Sequence, residues 1–195
     1  MPPYMPTRKA IVTKERILER VLPIFLVNNY EVVTINMIED ATRMCRGTVY
    51  RHFINKEDLF LQSSQRFYDS PLNVFFAMKP EGRTLLEYWN AKMRQLVNAS
   101  EYLKGYGITL DPCAISNYIG VQTSLVAPEF RDIMTTHAQL NIRYWSIVLR
   151  NTPGFEMHRK KISYRAAGQI YHGAYIQRCS TYPNCLLKIP DLSFR

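Results

Sequence analysis

The sequence predicts an all-α protein, and three observations carry that prediction. Apolar residues recur every three to four positions along most of the chain, the period of a helix with one buried face. Sustained two-residue alternation is missing, as are the Asn-Gly and Asp-Gly dipeptides of tight hairpins. The first 53 residues hold three short helical segments, the second and third separated only by a tight turn.

A chain of 195 residues with 47% hydrophobic content can bury a core of its own. Its longest apolar run, "VLPIFLV" at 21–27, is far shorter than the roughly 20 residues that cross a bilayer. The opening "MPPYMPTRKAIVTKERI" lacks the apolar centre of a secretory signal, so a cytoplasmic location without membrane contact is expected. Cys45, Cys113, Cys179 and Cys185 are irregularly spaced and are expected to be reduced thiols. They have no zinc-ligand spacing, and neither a metal nor a cofactor is expected. A net charge of +9 favours an anionic partner. Its distribution does not locate the site: residues 1–62 carry nine Lys and Arg against seven Asp and Glu, and residues 63–195 carry sixteen against nine.

In chain order, Ile17, Val21, Ile24 and Phe25 form the inner face of a first helix over about 12–28, widened by Leu18 and Leu22. Pro23 removes one backbone bond there and predicts a kink rather than a break. Thr34 offers a hydroxyl cap to a short helix "INMIEDATR", with Ile35, Ile38 and Ala41 inward. Arg43-Met44 is the turn, and a third helix covers about 46–52, anchored by Val49 and Phe53. Asn55 caps a longer helix through "KEDLFLQSSQRFYDS", whose Glu57 and Asp58 complement the dipole of its first turn. Further helices are expected at about 83–102, 111–126 (in one or two pieces), 128–150 and 158–178, with Pro112 and Pro128 in first-turn positions. The tail from 179, marked by Pro183 and Pro190, supports at most a short helix.

Two helices joined by a tight turn, the second carrying "RGTVYRHF", fit a helix-turn-helix DNA reader. Gly47 lets backbone come close to DNA, Arg46 and Thr48 can reach base edges or phosphate, and Tyr50 adds a hydroxyl on a rigid ring. Lys56 can make a charge-assisted phosphate bond. The plainer reading of Arg46 and Arg51 is surface charge, and Thr34 is a cap in either case.

From Ile11 to Phe60, and most specifically in "RGTVYRHFINKEDL", the chain resembles the DNA-binding signature of TetR-family transcriptional regulators. The resemblance implies an all-α homodimer with a helix-turn-helix DNA-binding domain at 1–55 and a helical effector-binding and dimerisation domain at 56–195. It implies that Thr34 touches phosphate, that Arg46, Gly47 and Thr48 face the major groove, and that Tyr50, His52 and Lys56 hold backbone phosphates; Arg51 is a further DNA-binding candidate on the same segment. Four positions depart from the family pattern. Arg43 stands where the turn glycine is usual, Cys45 replaces a Ser or Thr cap, Glu39 replaces a small Ala, and Pro23 interrupts the first helix. The implied function is a regulator, more a repressor than an activator, that binds a palindromic operator and is released by a small molecule. The effector would act by shifting the helix that begins at Lys56.

The remainder is rich in aromatics that suit a cavity for an aromatic, lipophilic or anionic effector, with Trp89, Met93, Tyr118, Met134, His137, Tyr144 and Tyr171 as candidate lining. The competing reading of each is core packing, and a satisfied core histidine is the default for His137 and His172. Arg159, Lys160 and Lys161 read as a solvated charge run, or as a contact for an acidic partner or DNA backbone. Ala166, Ala167, Gly168, Gly173 and Ala174 give the last helix a face suited to close approach across a two-fold axis. No Ser-His-Asp or Cys-His set, phosphate loop or carboxylate pair suggests an enzyme. The alternative function is a nucleoid or cell-division accessory factor whose C-terminal part holds a protein instead of a small ligand.

Overall fold

The computed structural model describes residues 7–155 and 162–180, the side chains as far as Gln177. These residues form eight helices and, among them, no strand: α1 (Arg8–Val27), α2 (Ile35–Thr42), α3 (Arg46–Val49), α4 (Lys56–Tyr68), α5 (Leu85–Gly105), α6 (Pro112–Val126), α7 (Phe130–Asn151) and α8 (Tyr164–Ser180). The all-α expectation holds, and no described helix is long and apolar enough to cross a membrane. The chain forms two compact units, residues 1–67 with 117–128, and residues 68–116 with 129–195. The first unit takes in most of α4 and the second half of α6, both of which the sequence division at 55/56 assigns elsewhere.

In the first unit, α1 starts where the Thr7 hydroxyl accepts the Ala10 N–H at 3.3 Å. It continues past Pro23, and Ile17, Leu18, Val21, Leu22, Phe25 and Leu26 are buried. Ile24, expected inside, is only half-buried, because the buried stripe advances in adjacent pairs and leaves position 24 at its edge. Thr34 caps α2 as expected, accepting from the Met37 N–H at 3.3 Å. Of the expected inner residues Ile38 is buried, and Ile35 and Ala41 are half-buried. Asn55 caps α4 through its Oδ1 and the Asp58 N–H at 2.7 Å, while Asp58 Oδ2 accepts the Ile54 N–H at 2.9 Å. The Asp58 carboxylate thus reaches back to the residue before the cap. Phe60 packs edge-on against Phe25 with ring centroids 5.0 Å apart, and Arg66 pairs with Glu15 to tie α4 to α1.

The second unit has its core in Tyr88, Trp89, Met93, Leu96, Trp145, Val148, Leu149, Ala167, Tyr171 and Tyr175. Glu87 Oε2 accepts both the N–H and the hydroxyl of Thr84 at 2.8 Å, which fixes the start of α5. Asp111 accepts the Cys113 and Ala114 N–H groups at 2.8 and 3.0 Å, and α6 runs unbroken from Pro112. Pro128 is not in the first turn of α7: the helix begins at Phe130, after a Glu129 that makes no side-chain cap. α8 begins later than expected, since the Ser163 hydroxyl accepts the Ala166 N–H at 3.1 Å and sets the helix start there. Gly168 is there for packing: a Cβ would lie 2.4 Å from Ser146 Oγ and 2.7 Å from the Ile142 carbonyl, so α7 and α8 approach closely. Arg159, Lys160, Lys161, Cys185 and the proline-marked tail lie outside the described residues, and the Cys179 side chain does too.

Candidate nucleic-acid interface and effector pocket

The turn between α2 and α3 is closed by Arg43, whose φ of 56° and ψ of 38° put a non-glycine residue in the left-handed region. Its N–H donates to the Glu39 carbonyl at 2.8 Å, and Arg20 Nη1 donates to the Thr42 carbonyl at 2.6 Å. These bonds satisfy two carbonyls that the end of α2 would otherwise leave open. α3 is shorter than predicted, a single α-turn over Arg46–Val49 that continues as hydrogen-bonded turns through His52. Gly47, Thr48 and Val49 are weak helix formers, and Cys45 makes no side-chain cap. The Cys45 thiol instead meets the Thr48 hydroxyl at 3.3 Å, and that bond lowers its pKa. Glu39 supplies the missing acceptor, because its carboxylate takes the Arg46 N–H. Two departures from the family pattern therefore act together, with an acid from α2 serving an uncapped α3.

Val49 and Phe53 are buried and hold α3 on the core, as expected. Arg46, Gly47, Arg51 and Thr34 are exposed, and Thr48 and His52 are half-buried. A Cβ on Gly47 would meet no atom within 4 Å. Tyr50 departs from expectation. Its hydroxyl is enclosed with no hydrogen-bond partner, burial raises its pKa, and the ring lies 5.9 Å from the Arg46 guanidinium. Lys56 departs too, since its Nζ donates to the Tyr30 and Val33 carbonyls at 3.0 and 3.1 Å and sits 4.3 Å over the Tyr30 ring. An ammonium has three protons, so one remains for a phosphate. Sequence spacing gave no sign of Arg20 or Glu39 in this site, because each acts across a turn.

The candidate effector residues divide sharply. Trp89, Met93 and Tyr171 are core, Tyr144 packs half-buried against that core, and Tyr118 is 36% exposed on the part of α6 that belongs to the first unit. Aromatic side chains at helical spacing fill a core here. Met134 and His137 line a pocket between α7 and α8. That pocket, about 250 Å³, lies within the second unit and is bounded also by Tyr68, Phe75, Ala138, Asn141, His172 and Ile176. Met134, His137, Ala138 and Asn141 stand at i, i+3, i+4 and i+7 on α7, so one helix face supplies half of the lining.

The loop between α4 and α5 is held against this pocket by side chains that donate to its carbonyls. Asn141 Nδ2 reaches Phe75 O at 2.7 Å, the Tyr175 hydroxyl reaches Val74 O at 2.8 Å, and buried Lys92 reaches Phe76 O at 2.9 Å and Gln95 Oε1 at 2.9 Å. Neither histidine is the satisfied core residue expected by default. The Nδ1 atoms of His137 and His172 are buried and unpaired, as is Asn141 Oδ1. Burial, and secondarily the Lys92 charge, lowers the His172 pKa to about 4. His137 Nε2 lies 3.9 Å from Asp69 Oδ1.

Residues 17–62 match the model of the bacterial regulatory proteins of the tetR family. The HTH-type transcriptional repressor AcnR of Corynebacterium efficiens is 38% identical over 53 residues, which make up 27% of this chain and 28% of the repressor. The likeness thus spans little more than a quarter of that relative's length. The crystal structure of reduced NemR from E. coli shares the fold, with a TM-score of 0.55 and 16% identity over 87% of this chain and 86% of that one. NalD, the secondary repressor of the MexAB-OprM multidrug efflux pump in Pseudomonas aeruginosa, aligns over 89% of this chain and 87% of its own, with a TM-score of 0.43 and 18% identity.

Proposed function

We propose that this chain is a cytoplasmic transcriptional repressor that binds a palindromic DNA operator as a homodimer and leaves it when a small molecule occupies the second unit. The observation that carries the reading is Gly47. Glycine costs about 0.5–1 kcal/mol against alanine inside a helix, and among the described residues no atom lies within 4 Å of where its Cβ would be. An outside surface approaching the backbone closely needs that space, and the major groove is such a surface. Arg46 and Thr48 flank the glycine to contact base edges, while Arg51, His52 and Thr34 lie to the sides for phosphates. Tyr50 joins them once its ring turns outward. Lys56 mainly holds the α1–α2 connection, its third proton being left for phosphate.

Release follows from α4. Its start is bonded to the reader through Lys56, and its last residue, Tyr68, lines the pocket. A ligand that displaces Tyr68 therefore acts on the same rigid helix that carries Lys56, and a small shift there changes the spacing of two recognition helices. The pocket favours this reading over a protein-holding accessory factor, which would have a filled C-terminal core. The test is selection of duplexes from a random library by the full chain, followed by footprinting. A two-fold symmetric site with half-sites about one helical turn apart is expected. Enrichment of no sequence, or of a single asymmetric half-site bound by one chain, contradicts it.

A further inference from the structure

The chemistry of the α7–α8 pocket defines the class of molecule it accepts. Its walls are largely apolar: Tyr68, Phe75, Met134, Ala138 and Ile176. Within this apolar setting three buried polar atoms have no partner, His137 Nδ1, Asn141 Oδ1 and His172 Nδ1, and all three belong to lining residues. An unpaired buried polar atom costs about 1–3 kcal/mol, and one pocket here contains three.

Asn141 sets the polarity. Its Nδ2 donates to the Phe75 and His137 carbonyls at 2.7 and 2.9 Å, so exchanging the amide atoms would turn oxygen toward two oxygens. Oδ1 is therefore the free atom, and it can only accept. His137 has Nε2 facing Asp69 at 3.9 Å, which favours the proton on that nitrogen and leaves Nδ1 as a second acceptor. His172 is neutral near pH 7, with a pKa of about 4, so its Nδ1 either donates or accepts according to tautomer. The pocket offers two acceptors, one adaptable nitrogen and no free cation among its lining residues.

We infer that this pocket binds a compact, uncharged, mainly apolar molecule bearing a hydrogen-bond donor, such as a phenol or a hydroxylated short chain, with the donor on Asn141 Oδ1 and the two histidines. A carboxylate is selected against, because it brings no donor and would face acceptor atoms in an apolar setting. Size agrees: a cavity of roughly 150 Å³ holds benzene, and 250 Å³ leaves room for a ring with a short substituent. The regulatory meaning of this binding rests on the effector reading above, but the binding itself does not.

The test is calorimetric titration of the full chain with three probes of one shape, 4-ethylphenol, ethylbenzene and 4-ethylbenzoate. The expected result is that 4-ethylphenol binds at least about tenfold tighter than ethylbenzene, roughly 1.4 kcal/mol, and that 4-ethylbenzoate gives no binding. His172→Phe keeps the site neutral and filled and is expected to narrow the phenol preference about threefold. Asn141→Leu abolishes the preference, with thermal melting of both variants reporting that they fold. Equal affinity for ethylbenzene, preference for the benzoate, or no binding of any probe to folded protein overturns the inference. Operator titration of the same preparation separates the two claims. A phenol that binds without weakening DNA binding upholds the pocket chemistry and refutes release by effector, whereas intact DNA binding with no probe bound refutes the pocket chemistry alone.

Discussion

Arg43 shows how one side chain can be tolerated in a backbone made for another. At φ 56° it takes a conformation that costs a non-glycine residue about 1–2 kcal/mol, and it is exposed, so no packing offsets the strain. Arg43→Gly removes that strain but enlarges the unfolded ensemble by a smaller amount. The net expectation is a gain of about 0.5–1 kcal/mol in urea unfolding. A loss of stability would mean that the guanidinium makes a contact worth more than the strain. This position was legible in the sequence through the resemblance, because the family it resembles usually has a glycine there. Lys56 was not. A long, flexible side chain beside a helix start looks the same whether it reaches outward to phosphate or back to carbonyls 23 and 26 residues earlier, as it does here. Lys56→Met is expected to destabilise the first unit by about 1–3 kcal/mol, since it leaves those carbonyls without their donor. An unfolding curve identical to that of the parent would assign Lys56 to DNA alone.

At the scale of elements, α3 is one turn long and depends on its neighbours. Glu39→Ala is expected to cost about 1 kcal/mol, the usual loss of a helix cap, because Cys45 does not replace the carboxylate. Cys45→Ser in the Glu39→Ala background should recover part of that loss, and denaturant midpoints of the single and double variants measure the coupling. Each departure was visible in the sequence, but their pairing across the turn was not. α7 and α8 show a related limit. Helical periodicity located both, yet aromatic density could not separate a filled core from a cavity, so Trp89, Met93 and Tyr171 were expected in the wrong place. Asn141 was among the overlooked residues, although its position four after His137 puts it on the same face. His172 on α8 yields a pH prediction. Its folded pKa of about 4 lies below the ordinary 6.5, so the unfolded chain takes up the proton first as pH falls. Stability is therefore undiminished by this group above about 6.5 and declines through the window down to about 4. Unfolding measured at steps across that window should show a shallower decline for His172→Phe than for the parent; parallel curves would place the proton elsewhere.

At the scale of the whole molecule, sequence periodicity read the all-helical architecture correctly, because it depends on local pattern. The division into two compact units was less accessible. α6 contributes residues to both, and no composition change marks residue 117, where the division falls. The chain path through α4 links the reader's Lys56 to the pocket's Tyr68, and this continuity is the physical basis offered for release. The central claim is that the exposed start of α3 enters a DNA groove. Its most direct test is to titrate the selected duplex with parent and Gly47→Ala protein while following the unfolding of both. The alanine variant is predicted to be at least as stable, gaining up to about 1 kcal/mol, and to bind at least about tenfold more weakly. Affinity within twofold of the parent, at equal stability, would contradict the claim.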